Sequence, residues 1–270
     1  MRLITLLSII LIPASLHAHG VGVIDIADDR VWSGAVKVTQ PLHVLKGASL
    51  TITAGTEVTF DMPATDEFEP EPWILVEGRL DVAGTAGSPI LFKVKSEPRQ
   101  RATQDMFNIL AAESAKVSYG RFIGAGWALH IHDTKTVIEN SRFVDNYGGI
   151  RSSSDNLKVN KSTFAGNTIG IRLLNASGVR ILSCDFIDNL TGIFLRKDIL
   201  GMVITYNYFA NTEYDIKLGE MQGEDISAAS NWWRSPPSAG GEKLFDGNDS
   251  EGIGFVRTEP ELDFEEKPER

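Results

Sequence analysis

The chain has 270 residues, 42% hydrophobic and 23% charged, a globular composition that excludes disorder over most of its length. Its 36 acids outnumber 26 lysines and arginines, and a formal charge of −10 opposes general binding to nucleic acid or anionic membrane. The single cysteine, Cys184, excludes an intramolecular disulfide.

Residues 1–18, "MRLITLLSIILIPASLHA", carry Arg2, an apolar run from Leu3 to Leu16 broken by Pro13, and Ala18 as a small residue for cleavage. A secretory signal peptide is expected, because the run is shorter than the roughly 18 to 20 residues of a spanning helix. The mature chain then begins at His19. It is expected in the periplasm or outside the cell, without membrane insertion.

Residues 21–40, with "VWSGAVKV", are expected to cap an open end. After them, "VLKGASLTITAGTEVTF" (Val44 to Phe60) and "ILVEGRLDVAGTAGSPILFKV" (Ile74 to Val94) alternate apolar and polar residues between glycines, the pattern of half-buried strands. Between them "DMPATDEFEPEP", Asp61 to Pro72, holds five acids and three prolines and predicts a solvated loop.

From residue 115 the chain repeats itself. Phe122, Phe143, Phe164, Phe186 and Phe209 fall 21, 21, 22 and 23 residues apart, a period that means stacked structural units. Five positions before each aromatic stands Val117, Ile138, Val159, Ile181 or Ile204; seven after stands Leu129, Ile150, Ile171, Ile193 or Ile216. At +9, Ile131, Leu173, Leu195 and Leu218 repeat the pattern, with Ser152 the exception. Three short apolar stretches per repeat are too short for helices, so they are strands of a coil that buries its inner face by stacking on its copies. Equivalent strands then pair in parallel at roughly 4.8 Å.

Asn146, Asn167 and Asn189 at +3 are expected to turn the chain in the left-handed conformation and to bond the same amide one coil away. Gly149, Gly170 and Gly192 at +6 are expected at a second bend for the same steric reason. Ser141, Ser162, Cys184 and Asn207 form a further column, which makes Cys184 a buried, inert thiol. "SNWWRSPPSAGG", Ser230 to Gly241, suits a C-terminal plug, and the acidic tail 257–270 reads as disordered.

These motifs, "N-x-F-x-x-N-x-x-G-I" with "KGASLTITAGTEVTF" at the start and "NWW" with "EPEL" at the end, resemble the right-handed parallel β-helix repeat proteins of bacteria. The resemblance is to the pectin-lyase-like superfamily with CASH and NosD-type repeats. It covers nearly all of residues 30–262 and implies an all-β, single-stranded right-handed parallel β-helix with caps at both ends. The expected domain is 19–256, with regular coils at about 115–221 and a cap at about 222–256.

Period-two alternation predicts that +6, +8 and +10 face outward on the strand whose +7 and +9 residues face in. The +8 column then reads His130, Arg151, Arg172, Phe194 and Lys217, and the +10 column His132, Ser153, Leu174, Arg196 and Gly219. His130, Arg151, Arg172, Arg196 and Lys217 are the candidate ligand-binding residues, since a guanidinium fork suits carboxylate or sulfate. Polar outward residues also discourage edge aggregation, which is the plain alternative. In the resembled superfamily long polymers lie on this kind of surface, so an acidic polysaccharide is the implied partner.

Uronate cleavage or epimerisation needs a base for the C5 proton, and hydrolysis needs two spaced carboxylic acids. Asp215 is the one +6 acid, and Asp145 and Asp188, about 9.6 Å apart over two coils, are better explained as turn residues. His130 and His132 share a strand face, and an amino-terminal His19 chelates copper well, but two histidines without a third ligand are a weak metal signal. No phosphate loop, Ser-His-Asp context or paired CxxC is evident.

The expected function is a non-catalytic binding or scaffold protein of the bacterial envelope, holding acidic carbohydrate, with envelope proteins as further partners and no cofactor. The alternative is a polysaccharide lyase, epimerase or hydrolase acting on a uronate polymer. The minor alternative is a copper-binding periplasmic protein.

Overall fold

A strand of two to six residues with one apolar face has no independent stability, and here each one is held by its equivalents a coil away. The structure, a computed structural model, describes residues 22–61, 72–95, 104–239 and 243–263. The expected signal peptide and nearly all of the 61–72 loop lie outside these residues.

Successive strands are dealt in turn to three parallel sheets of ten, eight and nine strands. One coil runs Gly148–Ser152, Lys158–Asn160, Thr163–Ala165 and then returns to Ile169–Leu174 in the first sheet. The register holds throughout: Phe92 pairs with Phe122, Phe122 with Phe143, Phe143 with Phe164, and so on to Trp233. Because the coil repeat sets the ring spacing, these aromatics form an inner stack, with Phe143 and Phe164 centroids 4.8 Å apart and 3° from parallel. The aliphatic columns close around them, and every one of the −5 and +7 residues is buried.

Two polar ladders run inside. Asn167 Oδ1 accepts from both the backbone amide (3.0 Å) and the side-chain amide (3.0 Å) of Asn146, and Asn189 Oδ1 does the same for Asn167. Each asparagine thus satisfies the coil before it, as buried amides require. The column Ser141, Ser162, Cys184, Asn207 does likewise, with Ser162 Oγ accepting from the Ser141 amide and Asn207 Oδ1 from the Cys184 amide. Cys184 is fully buried.

The turns differ from expectation. The asparagines at +3 are not left-handed; that conformation belongs to the residues before them, Gly124, Asp145, Gly166 and Asp188, at φ 78°, 53°, 66° and 54°. A second left-handed column, Tyr119, Asn140, Lys161, Ser183 and Tyr206, turns the chain three residues before each aromatic. Here the backbone N–H is aimed at the next coil, as from Asn140 to the Asn160 carbonyl at 3.1 Å. Nor do the +6 glycines sit at a left-handed bend. They lie within strands, and a Cβ on Gly149 would come within 2.6 Å of the Gly170 carbonyl oxygen and 2.8 Å of the Phe164 ring. Glycine is required there by close packing, not by φ.

The ends also differ. Residues 24–38, expected as a cap, form a full coil of Ile24–Ile26, Arg30–Trp32 and Ala35–Val38, each strand pairing in parallel with the next coil. The tryptophans of the expected plug continue the repeat: Trp233 stacks on Phe209 at 4.7 Å and Asn231 extends the serine–asparagine column. The chain assigned to a disordered tail is built into this end up to residue 263. Val256–Arg257 pairs with Ile226–Ser227, and Glu261 binds Ser238.

Candidate functional site

The ten-stranded sheet carries the candidate residues on its outer face. Registry between Trp127–His132, Gly148–Ser152, Ile169–Leu174, Thr191–Arg196 and Tyr214–Leu218 places His130, Arg151, Arg172, Phe194 and Lys217 in one column. At one strand spacing per coil the column is about 19 Å tall.

Its members have different neighbours. Arg151 and Arg172 are half-buried and directly opposite one another, and neither takes part in an ion pair among the described residues. Burial first, then the charges of Arg151 and Arg196, pull the Arg172 guanidinium below its usual range. Phe194 is the next residue in the column, with the Arg172 and Arg196 guanidinium carbons 5.8 and 5.9 Å from its centroid. Arg196 is already neutralised by Glu220, Nε donating at 3.0 Å. Lys217 places Nζ 4.7 Å from the Tyr214 ring centroid and 4.8 Å from that of Phe245. An aromatic surface with two unpaired arginines at one end is therefore the free part of the column.

His130 does not face solvent as a free cation. It is 8% exposed, and its Nδ1 meets Asp105 Oδ2 at 2.6 Å. Its Nε2 faces His132 Nε2 at 2.6 Å, and His132 Nδ1 meets Ser153 Oγ at 2.7 Å. A Ser-His-His-Asp chain is thus assembled from three coils, where the sequence showed no Ser-His-Asp context. The +10 column had already set Ser153 after His132; Asp105 was hidden because its coil lacks the regular marker spacing. Among the described residues no three His, Cys, Asp or Glu side chains converge to hold a metal.

Asp215, expected outward beside Lys217, is buried at 1% exposure and turned inward. Its Oδ1 accepts from the backbone amide (2.9 Å) and side-chain amide (2.8 Å) of Asn211 and ends the asparagine ladder. The reason is a local break in alternation: +6 and +7 both face the core as the chain enters this sheet, so Met106, Ala128 and Asp215 are all buried. Burial raises the Asp215 carboxyl above 3.8 against the Asn211 hydrogen bonds that lower it. Asp145 and Asp188 are exposed left-handed turn residues.

The family described as right-handed beta helix region matches residues 107–231, the stretch that builds this column. Over that stretch the chain is similar to this family, and its three stacked parallel sheets give it a parallel β-helix fold. No curated protein and no solved structure matches the chain. The family match and the stacked parallel sheets bear out the fold; the β-helix fold carries many chemistries, so function rests on the site alone.

Proposed function

We propose that this β-helix is an exported protein of the bacterial envelope that binds an acidic polysaccharide along the outer face of its ten-stranded sheet. The observation that carries the reading is the adjacent pair Arg151 and Arg172, unpaired with any carboxylate among the described residues of a strongly acidic chain, with Phe194 next in the column. Two guanidiniums one strand spacing apart suit successive anionic groups of an extended chain, and they bind carboxylate or sulfate through paired N–H donors. Phe194 and the Tyr214–Phe245 pair add flat apolar surface on which a sugar ring can lie, which a bare inorganic polyanion would not use. The leader-like residues 1–18 support export.

The test is retention on arrays of acidic and neutral glycans by the intact protein and by the Arg151→Glu, Arg172→Glu double variant. Selective retention of acidic glycans, weakened at least about 10-fold in the variant, is expected from losing two charge-assisted contacts. Equal retention by both proteins would overturn the reading.

A further inference from the structure

The chain Ser153–His132–His130–Asp105 lies on the same face and is not used by the contacts proposed above for Arg151, Arg172 and Phe194. The later coils carry no such chain at the equivalent positions: Leu174, Arg196 and Gly219 follow Ser153 at +10, and Arg151 and Arg172 follow His130 at +8. Earlier in the same column His43 sits between two carboxylates, Asp25 and Glu77, rather than next to a serine. Three of its members come from strands Asp105–Leu110 and Trp127–His132, and Ser153 lies one residue beyond Gly148–Ser152.

With both imidazoles neutral, donor–acceptor accounting gives the chain a direction. The Asp105 carboxylate accepts only, so His130 Nδ1 carries a hydrogen toward it at 2.6 Å. A neutral His130 then presents a bare Nε2, which accepts from His132 Nε2–H at 2.6 Å. That leaves His132 Nδ1 bare, and it accepts from the Ser153 hydroxyl at 2.7 Å. In this tautomer set every hydrogen points from the serine toward the acid. This is the arrangement that activates a hydroxyl: a base within hydrogen-bond reach, itself oriented by a second group.

We propose that Ser153 is the nucleophile of a serine ester hydrolase, with His132 as its general base and His130 and Asp105 as positioning residues. The substrate class is a carboxylic ester, such as an O-acyl group on a sugar. In the acylation step Ser153 Oγ bonds to the carbonyl carbon while His132 Nδ1 takes the hydroxyl proton. The carbon–oxygen bond to the alcohol then breaks, and the alcohol leaves with the proton held by His132. Water attacks the acyl-serine with the same base, releasing the carboxylic acid and restoring the hydroxyl. The positive charge on His132 is shared through Nε2 with His130 and stabilised by Asp105, as an acid behind a histidine does in serine hydrolases generally. Arg151, two residues before Ser153 and so about 6.6 Å back along extended backbone, puts positive charge on the same face.

The electrostatics agree with a base that is neutral at pH 7. Burial, then the charges of His130 and Arg151, hold the His132 imidazole below 6.5, against Asp133 and Asp105 acting upward. Ester hydrolysis should therefore persist below pH 6.5 and fall only as pH drops through the lowered value.

This inference goes beyond polysaccharide binding and does not depend on it, because a simple aryl ester and a fluorophosphonate are sufficient probes. The intact protein is incubated with a fluorophosphonate, digested and analysed by mass spectrometry, and p-nitrophenyl acetate hydrolysis is followed in parallel. A covalent adduct on Ser153 and turnover are expected, both lost in Ser153→Ala, a half-buried surface change with no core contact to disturb. His132→Asn should lower the rate about 100-fold or more, the usual worth of a general base. Asp105→Asn should lower it less and move the acid limb of the pH profile. No adduct on Ser153, or a rate unchanged in Ser153→Ala, overturns the proposal. So does stoichiometric uptake of zinc or copper that needs both histidines while Ser153 stays unlabelled.

Discussion

Arg151 and Arg172 stand directly opposite one another on adjacent parallel strands with no carboxylate partner for either among the described residues. Like charges so placed oppose folding, by on the order of 0.2–1 kcal/mol per cross-strand pair. Replacing Arg172 with Gln should therefore raise stability at low ionic strength, and the gain should shrink in high salt as screening removes the repulsion. Thermal melts of both proteins at low and high salt read this directly; a variant less stable at every ionic strength would contradict it.

Asp215 provides a pH test of the interior. Its folded carboxyl lies above the ordinary 3.8, so the stability it contributes is fully present below 3.8 and lost as pH rises through the raised value. Asparagine at the same place keeps the acceptor for both Asn211 donors and does not titrate. Asp215→Asn should be more stable than the natural protein at pH 7, with the difference narrowing toward pH 4. Urea unfolding at the two pH values measures it.

Asn167 accepts two hydrogen bonds from Asn146 and donates to Asn189 and to the Phe143 carbonyl. Asn167→Ala strands the buried backbone amide of Asn146 and removes one of the two bonds of its side-chain amide, which keeps the Phe122 carbonyl; an unsatisfied buried donor costs about 1–3 kcal/mol. The expected result is a destabilisation of several kcal/mol by chemical denaturation with the fold retained. A change under about 0.5 kcal/mol, the size of an ordinary surface substitution, would show that the ladder is not a structural support.

Gly149→Ala separates the two explanations for the +6 glycines. Gly149 is not left-handed, so backbone conformation alone predicts a small cost. The close approach of the Gly170 carbonyl oxygen and the Phe164 ring predicts instead a loss of about 1–3 kcal/mol from overpacking.

The core was legible because each coil restates it: the aromatic, the −5 and +7 aliphatics and the serine–asparagine columns recur at fixed offsets and are all buried. Strict alternation failed at one place, where +6 and +7 both turn inward, and that misplaced Asp215. The outer column of Arg151, Arg172, Phe194 and Lys217 was legible because register alone fixes it. What a period cannot convey is how side chains on neighbouring coils reach for each other. From sequence His130 reads as an outward-facing ligand-binding residue, although Asp105 from the preceding coil holds it at 2.6 Å.

The most direct measurement of the binding account is calorimetric titration of the intact protein with one uronate oligosaccharide in two forms, acidic and with its carboxylates reduced to alcohols. The acidic form should bind with an affinity that falls as salt rises, and the reduced form of equal length should not bind. Equal binding of both forms would contradict this.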